Sequence, residues 1–459
     1  MSVSVHDVLP EQQPLGDPAR EPSTLALTGS LDEDAALLAA FVAGGERRLA
    51  GLPPKPARTP SQQELTDTVF ARSRAARGSF LDLHAEGVYT RLTENLTRRV
   101  RLGDLVHAAA DRFPGLVPDR ARMAAELALI QAEKDGLEVD QAIFCAALLR
   151  SETAGRHLID TMLTPTPRAL DLLDGFRATG RADLGSVLVE RQGKAGHVTF
   201  RNAHCLNAED NRLAADMETA IDLVLLDENI HVGVLRGGTV DHPRYAGRRV
   251  FSAGINLKDL RNGAISFVDF LLGRELGYLH KMLRGLLTAP DAPAWCERTV
   301  QKPWIGAVDS FAIGGGMQLL LVLDRVILAS DAYVSLPAAE EGIVPGLGNL
   351  RLSRHTGARL ARQVVLGGRR IAATDPEARL VCDEVVPADD VTQAVDRAVQ
   401  ELAAPAVAAN RRMLTLAEEP LDLYRLYLAE FALVQVARSY SADVLAKVER
   451  RWQSSRARG

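Results

Sequence analysis

From residue 61 to 179 apolar residues return every three to four positions, the spacing that gathers them on one face of an α-helix. Within that series the stretch 121–134 reads as one helix stopped at Asp135-Gly136. A helix is also predicted over 31–43, ended by the proline-rich connector 51–60, and Thr164-Pro165-Thr166-Pro167 breaks the series again. Near Leu184 the period changes to two. Residues 186–190 and 197–201 flank Gly193-Lys194-Ala195-Gly196, the pattern of a hairpin. Asn207 then precedes a helix with Leu213, Met217, Ile221 and Val224 on one face, its start supported by Asp210. Buried strands are predicted over 232–236, 304–308, 325–329 and 333–336, alternating with helices. That alternation predicts an α/β fold, right-handed βαβ units repeated in a spiral with helices outside. From about Asp389 the chain is again helical and highly charged.

Three regions follow: a helical N-terminal extension over 1–184, whose proline-rich first 23 residues are expected to be mobile; an α/β core over 185–402; and a helical C-terminal region over 403–459, expected in subunit contacts. With 459 residues, 47% hydrophobic and 25% charged, the chain has room for more than one core. A net charge of −5 gives no overall pull toward nucleic acid or an anionic membrane. The first thirty residues have no apolar signal segment and no stretch approaches a membrane span, so the cytoplasm is the expected location. Four cysteines without a Cys-x-x-Cys pair and ten histidines without a metal-binding spacing lead to an expectation of buried thiols and a metal-free site.

The chemistry concentrates in two segments, residues 251–258 (Phe-Ser-Ala-Gly-Ile-Asn-Leu-Lys) and 313–318 (Ile-Gly-Gly-Gly-Met-Gln). Each reads as a strand passing through a glycine turn into a helix. A helix start frees backbone N–H groups, and two such starts converging on one carbonyl oxygen form an oxyanion hole.

With Leu206-Asn207-Ala208 after the hairpin, Phe251-Ser252-Ala253-Gly254, Gly306-Ala307-Val308 leading into Gly314-Gly315-Gly316, and the run Gly342-Ile343-Val344-Pro345-Gly346, residues 185–402 resemble the crotonase, or enoyl-CoA hydratase/isomerase, superfamily. The resemblance implies the crotonase-like spiral fold and maps the oxyanion N–H groups onto Ile255 and Gly315, holding an acyl-CoA thioester oxygen. It also implies Lys258 near the CoA phosphates, the pantetheine arm along the loop before Ile255 with Ala253 and Gly254, Asn256 among the CoA-binding residues, and assembly as a homo-oligomer, a trimer or dimer of trimers. The basic loop carrying His242, Arg244, Tyr245, Arg248 and Arg249 reads either as further phosphate partners or as solvated surface charge.

Departures from the hydratase pattern carry the information about the reaction. Hydratases place glutamates at the positions held here by Gln318 and Ala338, so hydration by paired carboxylates is not expected. Glu340 and Glu341 follow closely, but an extended chain would carry them away from that position. The long helical extension, Gln318, and the Ile255 and Ile343 side chains resemble one branch of the superfamily, the cofactor-independent aryl-acetyl-CoA dioxygenases of dihydroxyphenylglycine formation in glycopeptide antibiotic biosynthesis. That resemblance implies conversion of (3,5-dihydroxyphenyl)acetyl-CoA and dioxygen to 3,5-dihydroxyphenylglyoxylate and CoA, without metal or flavin.

An enolate poised to meet dioxygen needs a dry apolar pocket, for which Ile255 and Ile343 are the candidate walls. A resorcinol ring needs buried polar partners, since an unpaired hydroxyl costs about 1–3 kcal/mol. Glu209, Arg274 and Gln318 are the candidates. The competing readings are another crotonase enzyme, a thioesterase or decarboxylase, and a non-catalytic acyl-CoA-binding protein. No base for the α-proton is assigned by the pattern.

Overall fold

The alternating residues around Gly193 fold into the hairpin Val187–Gln192 and Ala195–Phe200, which with Arg181–Asp183 forms the antiparallel edge of a seven-stranded sheet. The structure, a computed structural model, describes residues 25–245, 247–293 and 295–456. The mobile segment expected over 1–23 lies outside the described residues. Beyond the hairpin the sheet continues in parallel through Val232–Gly237, Trp304–Val308, Arg325–Ala329 and Glu384–Val386. The central strand Trp304–Val308 is buried at every position, as expected for parallel strands covered on both faces. Gly233 pairs in register with Trp304 and leaves room for the indole, which a methyl group at 233 would strike.

A small second sheet runs beside the first. Phe311–Ile313 follows Trp304–Val308 directly, Tyr333–Ser335 follows Arg325–Ala329, these two pair in parallel with each other, and Ile371–Ala372 pairs antiparallel with Tyr333–Ser335 at the edge. Each turn of the spiral therefore gives one strand to the large sheet and the next to the small one. The helix Asn211–Leu226 covers the large sheet with Leu213, Met217, Ile221 and Val224 all buried. Its cap is Asp210, whose carboxylate accepts from Leu213 N at 2.8 Å. Asn207 instead takes a left-handed turn (φ 54°) and its amide donates to Val250 O at 2.6 Å, tying it to the first glycine segment.

The N-terminal extension builds a second apolar core from helices including Leu31–Leu49, Pro60–Leu92, Leu102–Arg112, Glu138–Arg150 and Glu152–Met162. The 33-residue helix Pro60–Leu92 starts on a reciprocal cap between Thr59 and Gln62. The single helix expected over 121–134 is divided: Arg120–Leu127 stops, and a short 3₁₀ turn occupies Gln131–Glu133. The buried Glu126 carboxylate explains the break, because it accepts from Gly136 N and Leu137 N at 2.6 and 2.7 Å at the start of Glu138–Arg150. The chain has to turn back to deliver those donors. Leu127, Leu129 and Ile130, apolar by pattern, consequently remain exposed.

The C-terminal region divides between the two cores. Helix Leu421–Ser439 packs along Glu138–Arg150 and buries Tyr424, Leu428, Phe431, Ala432 and Val436 in the core of the extension, whereas Val444 and Val448 of Ala442–Arg456 join the core of the spiral. Thus the expected boundary at 403 is not a boundary between packed bodies. Met413, Leu414 and Leu416 on Pro405–Glu418 remain exposed. All four cysteines are free; Cys145 and Cys382 are buried, but Cys205 and Cys296 are only half-buried, so the expectation of buried thiols fits two of the four.

Candidate active site

The two glycine segments meet back to back. Ser252 bridges Ala312 in parallel and its carbonyl accepts from Ile313 N at 2.9 Å, extending the small sheet into the first segment. Both then turn through glycines in the left-handed half of backbone space, Gly254 (φ 88°) and Gly314 (φ 54°), which any side chain would disfavour. The turns are so close that a methyl group on Gly254 would lie 3.4 Å from Gly315 N. Helices Leu257–Arg261 and Gly315–Leu320 begin immediately afterwards. Among the described residues no hydrogen bond takes up the N–H of Ile255 or of Gly315, and both residues line one cavity. Such a pair of free donors at adjacent turns can hold a single oxygen.

The same cavity brings together residues from distant parts of the chain: Glu209, Arg274 and Gln318, the apolar Ile255, Ile343, Phe270, Leu271 and Val344, and Phe431 from the C-terminal helix. Arg274 is 4% exposed and makes five hydrogen bonds, to Glu209 Oε2 and Oε1 at 2.6 and 3.2 Å, Gly315 O at 2.9 Å, and Glu275 Oε1 and Gln318 Oε1 at 3.0 Å each. Tyr278 donates to Glu209 Oε2 at 2.7 Å, so that both carboxylate oxygens of Glu209 are occupied. Burial works against the Arg274 charge, yet Glu209 and the groups beside it hold its pKa above the ordinary guanidinium value. Burial likewise drives the Tyr278 hydroxyl well above its usual range and keeps it a donor. This wall follows a π-helical turn, Phe267–Leu272, in which Leu271 N reaches back to Ser266 O at 3.0 Å. Such widened turns recur where a helix must aim side chains into a site.

Behind Arg274 a second layer holds the charges in balance. Glu275 lies between Arg274 and Arg351, and Arg351 forks onto Glu419 at 3.0 and 3.1 Å, which also accepts from Arg354 at 2.8 Å. The short segment Ala338–Glu341 is a helix rather than extended chain. Its turn brings Glu341 to the cavity, where the sequence reading carried it away, while Glu340 packs against Gly368.

The residues singled out for CoA divide into two groups. Ala253 and Gly254 line the cavity. Asn256 caps Leu257–Arg261, its side-chain oxygen accepting from Lys258 N and Asp259 N. Tyr245 stacks edge-on against Phe311 at 5.1 Å, with Arg244 over its ring at 5.6 Å and the His242 ring 5.6 Å away. Arg248 binds Asp331 and the Asp309 carbonyl, and Arg249 the Gly237 carbonyl. Arg244 and Lys258 are exposed. Sequence reasoning missed Glu275, Tyr278 and Phe431. Locally Glu275 reads as a solvated helical glutamate, and only the neighbouring glycines at 273 and 277, which permit close packing, hinted otherwise.

Among the described residues no three His, Cys, Asp or Glu side chains are grouped as a metal site, and no helix is long and apolar enough to cross a membrane.

Residues 190–423 match the enoyl-CoA hydratase/isomerase family. The chain is 54% identical over 425 residues, 93% of its length and 97% of the relative's, to a (3,5-dihydroxyphenyl)acetyl-CoA 1,2-dioxygenase of Amycolatopsis orientalis. It is 30% identical over 257 residues, 54% of its length and 90% of the relative's, to a probable enoyl-CoA hydratase of Rhizobium meliloti. Among solved structures, an enoyl-CoA hydratase/isomerase from Pseudoalteromonas atlantica aligns with a TM-score of 0.48 at 20% identity, covering 59% of this chain and 97% of that one. The match through the glycine turns, and its extension over nearly the whole chain in one relative, mean that this protein belongs to the enoyl-CoA hydratase/isomerase, or crotonase, family.

Proposed function

We propose that the chain is a cofactor-independent dioxygenase that converts (3,5-dihydroxyphenyl)acetyl-CoA and dioxygen into 3,5-dihydroxyphenylglyoxylate and CoA, a step toward dihydroxyphenylglycine. The observation that carries this reading is the 54% identity that runs through the N-terminal extension as well as the crotonase segment. The site chemistry supports it. Gln318 and Ala338 stand where a hydratase needs carboxylates, while the two free N–H groups of Ile255 and Gly315 remain available for a thioester oxygen.

In this mechanism the α-carbon loses a proton and its C–H electron pair moves into the thioester as an enolate, whose oxygen accepts from Ile255 N–H and Gly315 N–H. Preorganised donors in a water-poor cleft stabilise such charge without reorganisation. The enolate passes an electron to dioxygen, and recombination leaves a peroxide on the α-carbon. The terminal peroxide oxygen attacks the thioester carbon and expels the CoA thiolate. The O–O bond of the cyclic peroxide then breaks as the second α-hydrogen leaves as a proton, giving the 2-oxo acid. Atoms balance as one thioester and one dioxygen to one oxo acid, one thiol and one proton.

Ile255, Ile343, Val344 and Phe431 keep water from the carbanion and offer dioxygen an apolar berth. Glu209, Arg274 and Gln318 take the ring hydroxyls or the peroxide. Arg244 and Lys258 are our choice for the CoA phosphates, ahead of Arg248 and Arg249, which already hold protein oxygens. His242 and Tyr245 flank the pantetheine path with Ala253, Gly254 and Asn256. The expected setting is a cytoplasmic homo-oligomer, a trimer or dimer of trimers. Light scattering should return a mass of three or six chains, and a monomer would overturn that assignment.

The reaction is tested with purified, chelator-treated protein in an oxygen electrode with free thiol followed in parallel. One thiol released per dioxygen consumed, undiminished by chelator, is expected. Thiol release at the same rate without oxygen would make the protein a thioesterase-like crotonase instead.

A further inference from the structure

We propose that Glu275 is the base that removes the α-proton, a carboxylate delivered to the cavity from the helix after the π-helical turn in place of the two that positions 318 and 338 lack. The inference rests on the dioxygenase reading above. The proton has to go to some group in the cavity, and the carboxylates that line it are Glu209, Glu275 and Glu341. Glu209 is clamped by Arg274 and Tyr278, with one oxygen taking Arg274 Nε and the Tyr278 hydroxyl and the other taking Arg274 Nη2. Glu341 is half-buried, at the end of the short helix Ala338–Glu341.

Glu275 differs from both. It is 2% exposed, and its Oε2 has no hydrogen-bond partner among the described residues, with Arg351 standing off at 3.8 Å. Its Oε1 shares Arg274 Nη1 with Gln318 Oε1, which puts the carboxylate beside the amide that occupies the hydratase glutamate position. Gly346 opens the route between them. A methyl group there would strike Glu275 Oε1 and come within 2.9 Å of Gln318 Oε1, so only glycine leaves the carboxylate a face on the cavity. Burial raises the Glu275 pKa above the ordinary carboxylate range, against the pull of Arg274 and Arg351 and with a further push from Glu209. Tyr278, Tyr424 and Tyr427 complete its charged and titratable surroundings; Tyr424 donates to the Glu275 backbone carbonyl at 2.8 Å. A desolvated carboxylate of raised pKa is the stronger base. The cycle uses it twice at one carbon: the first proton goes on to the departing CoA thiolate, which leaves as thiol, and the second is released to solvent.

The test is oxygen uptake across pH with the α-protiated and α,α-dideuterated thioester, comparing wild type, Glu275→Gln, Glu275→Asp and Glu341→Gln. A base works only when ionised, so the wild-type rate should rise with pH through one ionisation above the ordinary carboxylate range. Glu275→Gln should lower kcat by roughly 100- to 10,000-fold, the span of general-base catalysis. It should also express a full primary isotope effect and lose the rising limb, with thioester binding and thermal midpoint retained. If Glu275→Gln fails to fold or to bind, Glu275→Asp decides: the limb should move in pH, and an unmoved limb overturns the assignment. Wild-type kinetics in Glu275→Gln, or loss of the limb in Glu341→Gln alone, also overturns it. A wild type that releases thiol without consuming oxygen sinks the dioxygenase reading instead, and the pH limb of thiol release then tests Glu275 by itself.

Discussion

Gly315→Ala should cut the kcat for oxygen uptake by roughly 100- to 1000-fold, the loss associated with one oxyanion donor. The glycine backbone here is not left-handed, so alanine is allowed conformationally, and the damage comes from contact. The new methyl group would strike Glu209 Oε1 and sit 3.1 Å from Arg274 Nη2. Either the carboxylate swings away, releasing Arg274 and Tyr278, or the 315 peptide retreats and its N–H leaves the thioester oxygen. Both routes remove stabilisation that matters most as the enolate forms, so kcat should fall much more than thioester affinity. A variant with wild-type kcat would mean that this N–H is not a donor to the reacting oxygen.

The second large effect is expected at Arg274. In Arg274→Met the carboxylates of Glu209 and Glu275 lose the guanidinium that they share, in a site almost closed to water. Breaking a buried pair by removing one partner costs about 3–5 kcal/mol, and two carboxylates are stranded here. Oxygen uptake should disappear, and the denaturant midpoint should fall accordingly. The pH dependence has a definite sign. An unpaired buried carboxyl has its folded pKa raised above the unfolded value, so the folded state binds more protons and stability is lost as pH rises through that raised value. The variant should therefore recover part of its deficit as pH is lowered toward the carboxylate range, more than wild type does. A deficit independent of pH would show that the cost is lost packing instead. Arg274→Lys should remain impaired, because an ammonium has three donors against the five hydrogen bonds made here and cannot fork onto Glu209.

The glycine turns were legible in the sequence because local geometry dictates their residues. Gly254 and Gly314 occupy backbone regions that penalise side chains, so the turns leave a mark in the chain itself. The buried strands and the apolar face of Asn211–Leu226 were legible for the same local reason, periodicity. Glu209, Arg274 and Gln318 were nominated separately, and the fold joins them through one guanidinium. What escaped depends on distant chain. Nothing local distinguishes Glu275 from a solvated glutamate; it is buried because Arg351 and Tyr424 arrive from later in the chain. The break in the 121–134 helix came from donors at Gly136 and Leu137 that a periodicity reading treats as a mere stop. Asn207 was legible only as a residue preceding the helix; that its amide is spent on Val250 O depends on distant chain.

Phe431 sets a limit on how this catalyst can be taken apart. The family match ends at residue 423, whereas the cavity wall continues to Phe431 on a helix held by Glu138–Arg150 of the extension. A chimera that transplants residues 190–423 into another host would inherit both oxyanion turns and the Arg274 cluster, yet its reaction chamber would lack one side. Modularity of the chain and modularity of the chemistry therefore do not coincide: the portable piece can carry a grip on a thioester, and the dry enclosure in which a carbanion survives long enough to meet oxygen belongs to the whole polypeptide.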